Sequence, residues 1–155
     1  MRVAIVSGAS GGIGSGCAVK LAEAGMAVLA TGRSEAKLAE LARAIGDLER
    51  VATLAVDLTD DDAPRRIVDL ALGTWGRIDV LVNAAGIGSP KPVHETDDES
   101  LDRFLNLMLR APFRLIREVL PHLGPGSTIV NITSTFAVVG GLRGGAYSAA
   151  KGGLT

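Results

Sequence analysis

Along the chain, hydrophobic positions follow two alternating periods. Short apolar runs stand at Arg2–Ser7 (RVAIVS), Ala27–Gly32 (AVLATG), Val51–Val56 (VATLAV), Ile78–Asn83 (IDVLVN) and Ser127–Thr133 (STIVNIT). Their length and β-branched content predict buried strands. Between them, apolar residues recur at the helical period. Ile13, Cys17 and Leu21 stack before Gly25; Leu38, Leu41, Ala42 and Ile45 follow a candidate N-cap at Ser34 and stop at Gly46. Ala63, Ile67, Leu70 and Ala71 mark the inner face of a helix from about Asp60.

A loop with Pro90 and Pro92 leads to a longer helix from Asp97, apolar at Leu101, Phe104, Leu105, Met108, Leu115, Ile116 and Val119. Leu107, Leu109 and Phe113 widen that stripe, so burial on two sides is expected. Pro112 lies inside the helix and frees the Met108 carbonyl, which predicts a local kink at a cost of about 3 kcal/mol unless neighbours compensate. A last helix begins near Gly145. Strands alternating with helices at this spacing require a parallel sheet covered on both faces, a doubly wound α/β fold with right-handed crossovers. No linker, repeat or low-complexity tract divides residues 1–155, which read as one domain.

Composition narrows the function. The 155 residues are 47% hydrophobic and 21% charged with a net charge of −1, enough for a packed core. The cations are scattered, which argues against nucleic acid or an anionic membrane surface as partner. No apolar run has the length of a membrane span. The single Cys17 and an amino terminus without a long apolar core fit a reducing cytoplasm. His94 and His122 lack spaced partners, so no metal site is encoded; they read as a loop and a helix-end histidine, and Trp75 as packing at a helix end.

Ligands of open parallel sheets gather beyond the carboxyl ends of the strands. The first such loop is SGASGGIG, Ser7 to Gly14, whose glycines allow a tight turn and close approach while the next helix offers unpaired N–H groups to a pyrophosphate. Here the chain resembles the short-chain dehydrogenase/reductase family, whose pattern is Thr-Gly, three residues, Gly, one residue, Gly. Ser7 replaces the threonine and keeps its hydroxyl. The resemblance implies strand order 3-2-1-4-5 and cofactor contacts from Gly8, Ser10, Gly12, Ile13 and Gly14. Where an acidic residue would hold a ribose 2′-OH, the second strand ends in Gly32 and Arg33. This favours NADP over the alternative, NAD; Arg33 could otherwise be a solvated surface charge. The second basic residue of NADP-preferring relatives is absent, since Gly11 stands in its place.

Asp57 and Leu58, by the same resemblance, flank the adenine, although Asp57 fits a helix cap equally well. NAAG, Asn83 to Gly86, resembles the family's Asn-Asn-Ala-Gly with Ala84 in second position; Asn83, Ala85 and Gly86 are expected along the cofactor. Tyr147 and Lys151 are four residues apart, which on a helix projects both from one face. An isolated phenol is a poor base at neutral pH, and a neighbouring ammonium and an oxidised nicotinamide both favour its phenolate. Ser134 precedes Tyr147 by the family's spacing. The resemblance implies that Tyr147 transfers a proton to or from the substrate oxygen, that Ser134 hydrogen-bonds that oxygen, and that Lys151 holds the nicotinamide ribose. The family's fourth residue, an asparagine five before a phenylalanine, falls here on Met108; Asn106 lies about 200° away around the helix and reads as a polar residue on another face.

Two functions remain open on the sequence: a metal-free NADP-dependent oxidoreductase acting on a ketone or secondary alcohol, the 3-oxoacyl-thioester type among them, or a nucleotide-binding module without turnover. The resemblance covers the whole chain as the first three-fifths of a complete member. Later strands, the rest of the Tyr147 helix and the loop closing over the substrate are therefore expected beyond Thr155, and the wide stripe of the long helix is expected to pair in a homo-oligomer.

Overall fold

The computed structural model describes residues 1–88 and 91–155, so Pro90 lies outside the described residues. Five parallel strands form one sheet: Val3–Ser7 (β1), Ala27–Gly32 (β2), Val51–Ala55 (β3), Val80–Asn83 (β4) and Thr128–Asn131 (β5), in the order β3-β2-β1-β4-β5. Every residue of β1, β2 and β4 is buried, whereas the edge strands β3 and β5 alternate in exposure. This is the doubly wound order expected from the sequence.

Successive side chains of a strand point to opposite faces, so β1 feeds two cores. Ala4 and Val6 join Val28 and Ala30 under Gly12–Glu23 (α1) and Glu35–Ile45 (α2). Ile5 joins Leu29 and Leu81 under Ala63–Trp75 (α3) and Ala111–Val119 (α5). Each large aliphatic side chain removed from water contributes about 1.5–3 kcal/mol before chain entropy is counted. Two further helices, Asp98–Leu105 (α4) and Gly145–Leu154 (α6), share a smaller cluster of Phe104, Met108 and Ala150.

Local chemistry sets the boundaries. The Ser34 hydroxyl accepts the Lys37 N–H at the start of α2, and Gly46 ends it at φ 79° with its N–H on the Ala42 carbonyl. Helix α3 begins at Ala63, later than Asp60, because Pro64 suits a first turn whose N–H groups lack partners in any case. The β4 ladder starts at Val80, since the preceding Asp79 carboxylate takes the Val3 N–H at 2.8 Å and two hydrogen bonds from Arg77. The Arg77 guanidinium, with the Val3 N–H, holds the Asp79 carboxyl below the usual aspartate range.

One expectation about packing is corrected. Ile13 is 64% exposed; α1 starts only one residue earlier, and its buried positions are Gly14 and Ala18. Phe113 is also 64% exposed, so this part of the stripe of the long helix stays outside the core of the single chain. The kink at Pro112 takes a specific form. Residues Asn106–Arg110 widen into a π turn in which the Ala111 N–H reaches back five residues to the Asn106 carbonyl, and α5 resumes with Pro112 in its first turn.

Candidate active site

In the loop after β1, two glycines leave no room for a side chain. Gly8 has φ +72°, and a Cβ there would lie 2.5 Å from the Ala85 backbone. A Cβ on Gly14 would sit 2.3 Å from the Gly8 carbonyl oxygen. At Gly12 the same construction meets nothing within 4 Å, which leaves that backbone open to a ligand. The first turn of α1 has no side-chain cap and no acidic residue. Its positive end therefore opens, with Gly12, Ile13 and Gly14, onto a groove of about 500 Å³.

A second cavity, of about 310 Å³, shares Gly11, Ala84 and Gly86 with the first. Gly8, Ser10, Arg33, Leu58 and Ala85 line it. Sequence reasoning missed Lys37, in the first turn of α2, which lines the same cavity as Arg33. At its floor a Cβ on Gly32 would meet the Ser10 Oγ at 2.5 Å. Ser10 thus fills the space in which a carboxylate at position 32 would begin. Asp57 lies outside this lining and folds its own turn, its Oδ1 accepting the Thr59 N–H at 2.9 Å and hydroxyl at 2.7 Å. Those bonds keep the Asp57 carboxyl below its ordinary range. It does not cap α3, whose N-cap is Asp62.

Asn83 is buried at the end of β4, and its amide donates to the Asn131 side chain at 2.9 Å across the β4–β5 register. Asn131 was not singled out from the sequence; the available signal was an asparagine ending each of two apolar runs. Among the described residues, the Asn83 Oδ1 has no hydrogen-bond partner.

The other groove wall carries Ser134, Tyr147 and Lys151 together. Helix α6 presents Tyr147 and Lys151 one turn apart, as the spacing requires. Lys151 is only 4% exposed, and its ammonium donates to the Ile132 carbonyl at 2.6 Å. That carbonyl is free because the β5 ladder ends at Asn131. Burial pushes the Lys151 ammonium below its ordinary pKa. The Ser134 Oγ accepts the Phe136 N–H at 3.2 Å, which engages a lone pair and leaves the hydroxyl proton to be donated elsewhere. Tyr147 is held between two aromatic edges, Phe104 and Phe136, each with ring centroids 6.3 Å away.

Gly86 faces the point where these groups converge: a Cβ there would lie 3.6 Å from the Met108 Sδ and 3.8 Å from the Lys151 Nζ. Met108 is fully buried in this place, while Asn106 is half-buried in the π turn and makes no side-chain hydrogen bond among the described residues.

The family model described as short chain dehydrogenase matches residues 2–155. The chain is 39% identical, over 99% of its length and 60% of the relative's, to short-chain dehydrogenase/reductase FrzI of Cladobotryum sp. It is 37% identical to cis-4-hydroxycyclohexanecarboxylate dehydrogenase of Sinomonas cyclohexanicum, covering 99% of this chain and 63% of the other. A Brucella melitensis crystal structure described as a short-chain dehydrogenase/reductase, glucose/ribitol dehydrogenase, superposes with a TM-score of 0.94 at 34% identity, over 97% of this chain and 62% of that one. A Caenorhabditis elegans short-chain dehydrogenase/reductase solved with cofactor gives 0.94 at 31% identity, over 99% and 60%. The chain thus spans about three-fifths of the length of these relatives. Among the described residues, no helix is long and apolar enough to cross a membrane.

Proposed function

The chain belongs to the short-chain dehydrogenase family, and from that premise we propose that it is the cofactor-binding and proton-transferring part of an NADP(H)-dependent oxidoreductase interconverting a ketone and a secondary alcohol. The observation that carries this reading is the convergence of Ser134, Tyr147 and Lys151 on one groove that also receives the positive end of α1.

The residues present fit a dinucleotide: the open backbone at Gly12 and the uncapped helix suit a pyrophosphate, and two joined cavities suit its two ends. NADPH, when bound, supplies the hydride that the carbonyl carbon receives. Tyr147 donates its phenolic proton to the carbonyl oxygen, completing the alcohol, and recovers a proton from water. Ser134 donates its free hydroxyl proton as a hydrogen bond to that oxygen and steadies the charge it gathers. Lys151, anchored on the Ile132 carbonyl, has two further N–H donors for ribose hydroxyls. Met108 cannot relay protons as an asparagine-held water would, so in this reading proton return to Tyr147 runs through the open groove.

Preference for NADP rests on Arg33 and Lys37 beside one cavity and on the absence of room at Gly32 for a carboxylate while Ser10 stays in place. The exposed Phe113 and Leu120 on and after α5 support pairing with a second copy. Fluorescence titration with NADPH and NADH, followed by NADPH oxidation with a panel of ketones in a chain extended to the length of its relatives, tests the reading. Tighter NADPH binding and ketone-dependent oxidation are expected. Binding without oxidation by any ketone contradicts the reaction, and equal affinity for NADH contradicts the cofactor preference.

A further inference from the structure

Phe136 has no part in the chemistry above, yet its backbone and ring both touch the groups that perform it. Its N–H holds the Ser134 Oγ at 3.2 Å, within a short 3-10 turn at Thr135–Ala137. Its ring meets Tyr147 edge to face at an interplanar angle of 87°. The neighbouring glycines make room for the ring: a Cβ on Gly141 would lie 3.1 Å from it, and one on Gly144 would lie 3.5 Å away. Phe136 is still 43% exposed and lines the groove. A ring held this firmly and left this open presents an apolar face to whatever enters beside Ser134 and Tyr147. The surrounding wall agrees, since Ile87 and Ile132 line the groove, and Lys151, already bound to a carbonyl, is the one charged side chain among its described lining residues.

We propose that Phe136 is a specificity-determining residue that seats an apolar alicyclic or aryl substituent of the substrate ketone beside Tyr147, selecting such ketones over small polar ones. This rests on the ketone reductase reading above. Among the described lining residues no cation is left over to pair with an anionic substituent, whereas an aromatic face rewards a ring stacked or set edge-on against it.

The test compares acetophenone with hydroxyacetone in the NADPH-loaded, relative-length chain, as wild type and as Phe136→Ala and Phe136→Leu. Phe136→Ala is expected to raise KM for acetophenone about tenfold while leaving kcat within a few-fold and the hydroxyacetone KM unchanged, the scale on which apolar pockets discriminate. Phe136→Leu, which keeps apolar bulk, is expected to restore most of the acetophenone KM. Equal kcat losses for both ketones with unchanged KM would mean that the ring only props Tyr147, and would overturn the proposal. No change in either would overturn it too.

Saturation-transfer NMR on the NADP⁺-loaded chain gives a readout independent of turnover. Transfer to the acetophenone ring that is lost in Phe136→Ala supports the seat, and transfer that is absent in wild type or unaltered by the substitution refutes it. Phe136-dependent binding without NADPH oxidation would sink the reaction and leave the seat standing. Reduction of both ketones with no dependence on the ring would do the reverse.

Discussion

The two sides of the groove are built by opposite means. On the side of β1 and β2, every strand residue is buried and the loop beyond them is shaped by glycine backbone against backbone. On the side of β5, strand residues alternate between exposed and half-buried, and the groove wall is made of the side chains of Ser134, Tyr147 and Lys151 with Phe136. The first side cannot change at Gly8 or Gly14 without disturbing the backbone around it, because the groove surface and the packing there are the same atoms. The second can change its chemistry at small cost in stability where its side chains are half-buried, as Ser134 and Tyr147 are, while Lys151 is buried.

The sharpest way to break this contrast is a methyl group in the glycine loop. Gly8→Ala combines a left-handed backbone with a Cβ only 2.5 Å from the Ala85 backbone, and it should cost roughly 3 kcal/mol or more in urea unfolding and abolish NADPH binding. A variant that stays stable and still binds would separate site from core and refute the contrast. Next in size is Asp79→Ala, which leaves the buried Val3 N–H without its acceptor and should cost about 1–3 kcal/mol. Because the folded Asp79 carboxyl titrates below its ordinary value, its contribution is complete above the unfolded pKa and is lost as pH falls through the folded one. The variant should lack that part of the acid unfolding limb.

Lys151→Met should move stability at neutral pH by no more than about 1 kcal/mol, since removing a buried charge offsets the lost hydrogen bond to Ile132, while NADPH affinity falls. The folded Lys151 ammonium titrates below its ordinary value, so the unfolded chain binds more protons at alkaline pH. Wild-type stability should therefore gain from this group as pH rises from the folded to the unfolded pKa, and the variant should show no such gain. The smallest change in stability is expected for Ser134→Ala, within about 0.5–1 kcal/mol, with a loss of turnover that steady-state kinetics on the extended chain would register.

What the sequence revealed follows the same division. The strands and the glycine loop were readable because local period and turn chemistry decide them, and the order of the sheet came with the resemblance. Ile13 misled because periodicity assigns a face to every apolar residue, whereas a helix end can leave one exposed. The π turn at Asn106–Arg110 could be anticipated only as a kink, since Pro112 dictates the lost hydrogen bond but not how the chain rewinds. Met108 fell in the register of the missing asparagine and does lie beside Lys151. Asn131 and Phe136 escaped because their importance arises from contacts between separate elements, a strand register and an aromatic edge, and Lys37 because only the folded chain shows the cavity that it shares with Arg33.

The central claim is that the Tyr147 hydroxyl moves the proton while the glycine side of the groove independently holds the dinucleotide. Measuring NADPH affinity and ketone reduction together for Tyr147→Phe in the extended chain tests it most directly. The account predicts affinity within about twofold of wild type and turnover lower by at least about 100-fold, the scale of a lost general acid. Turnover close to wild type would contradict it.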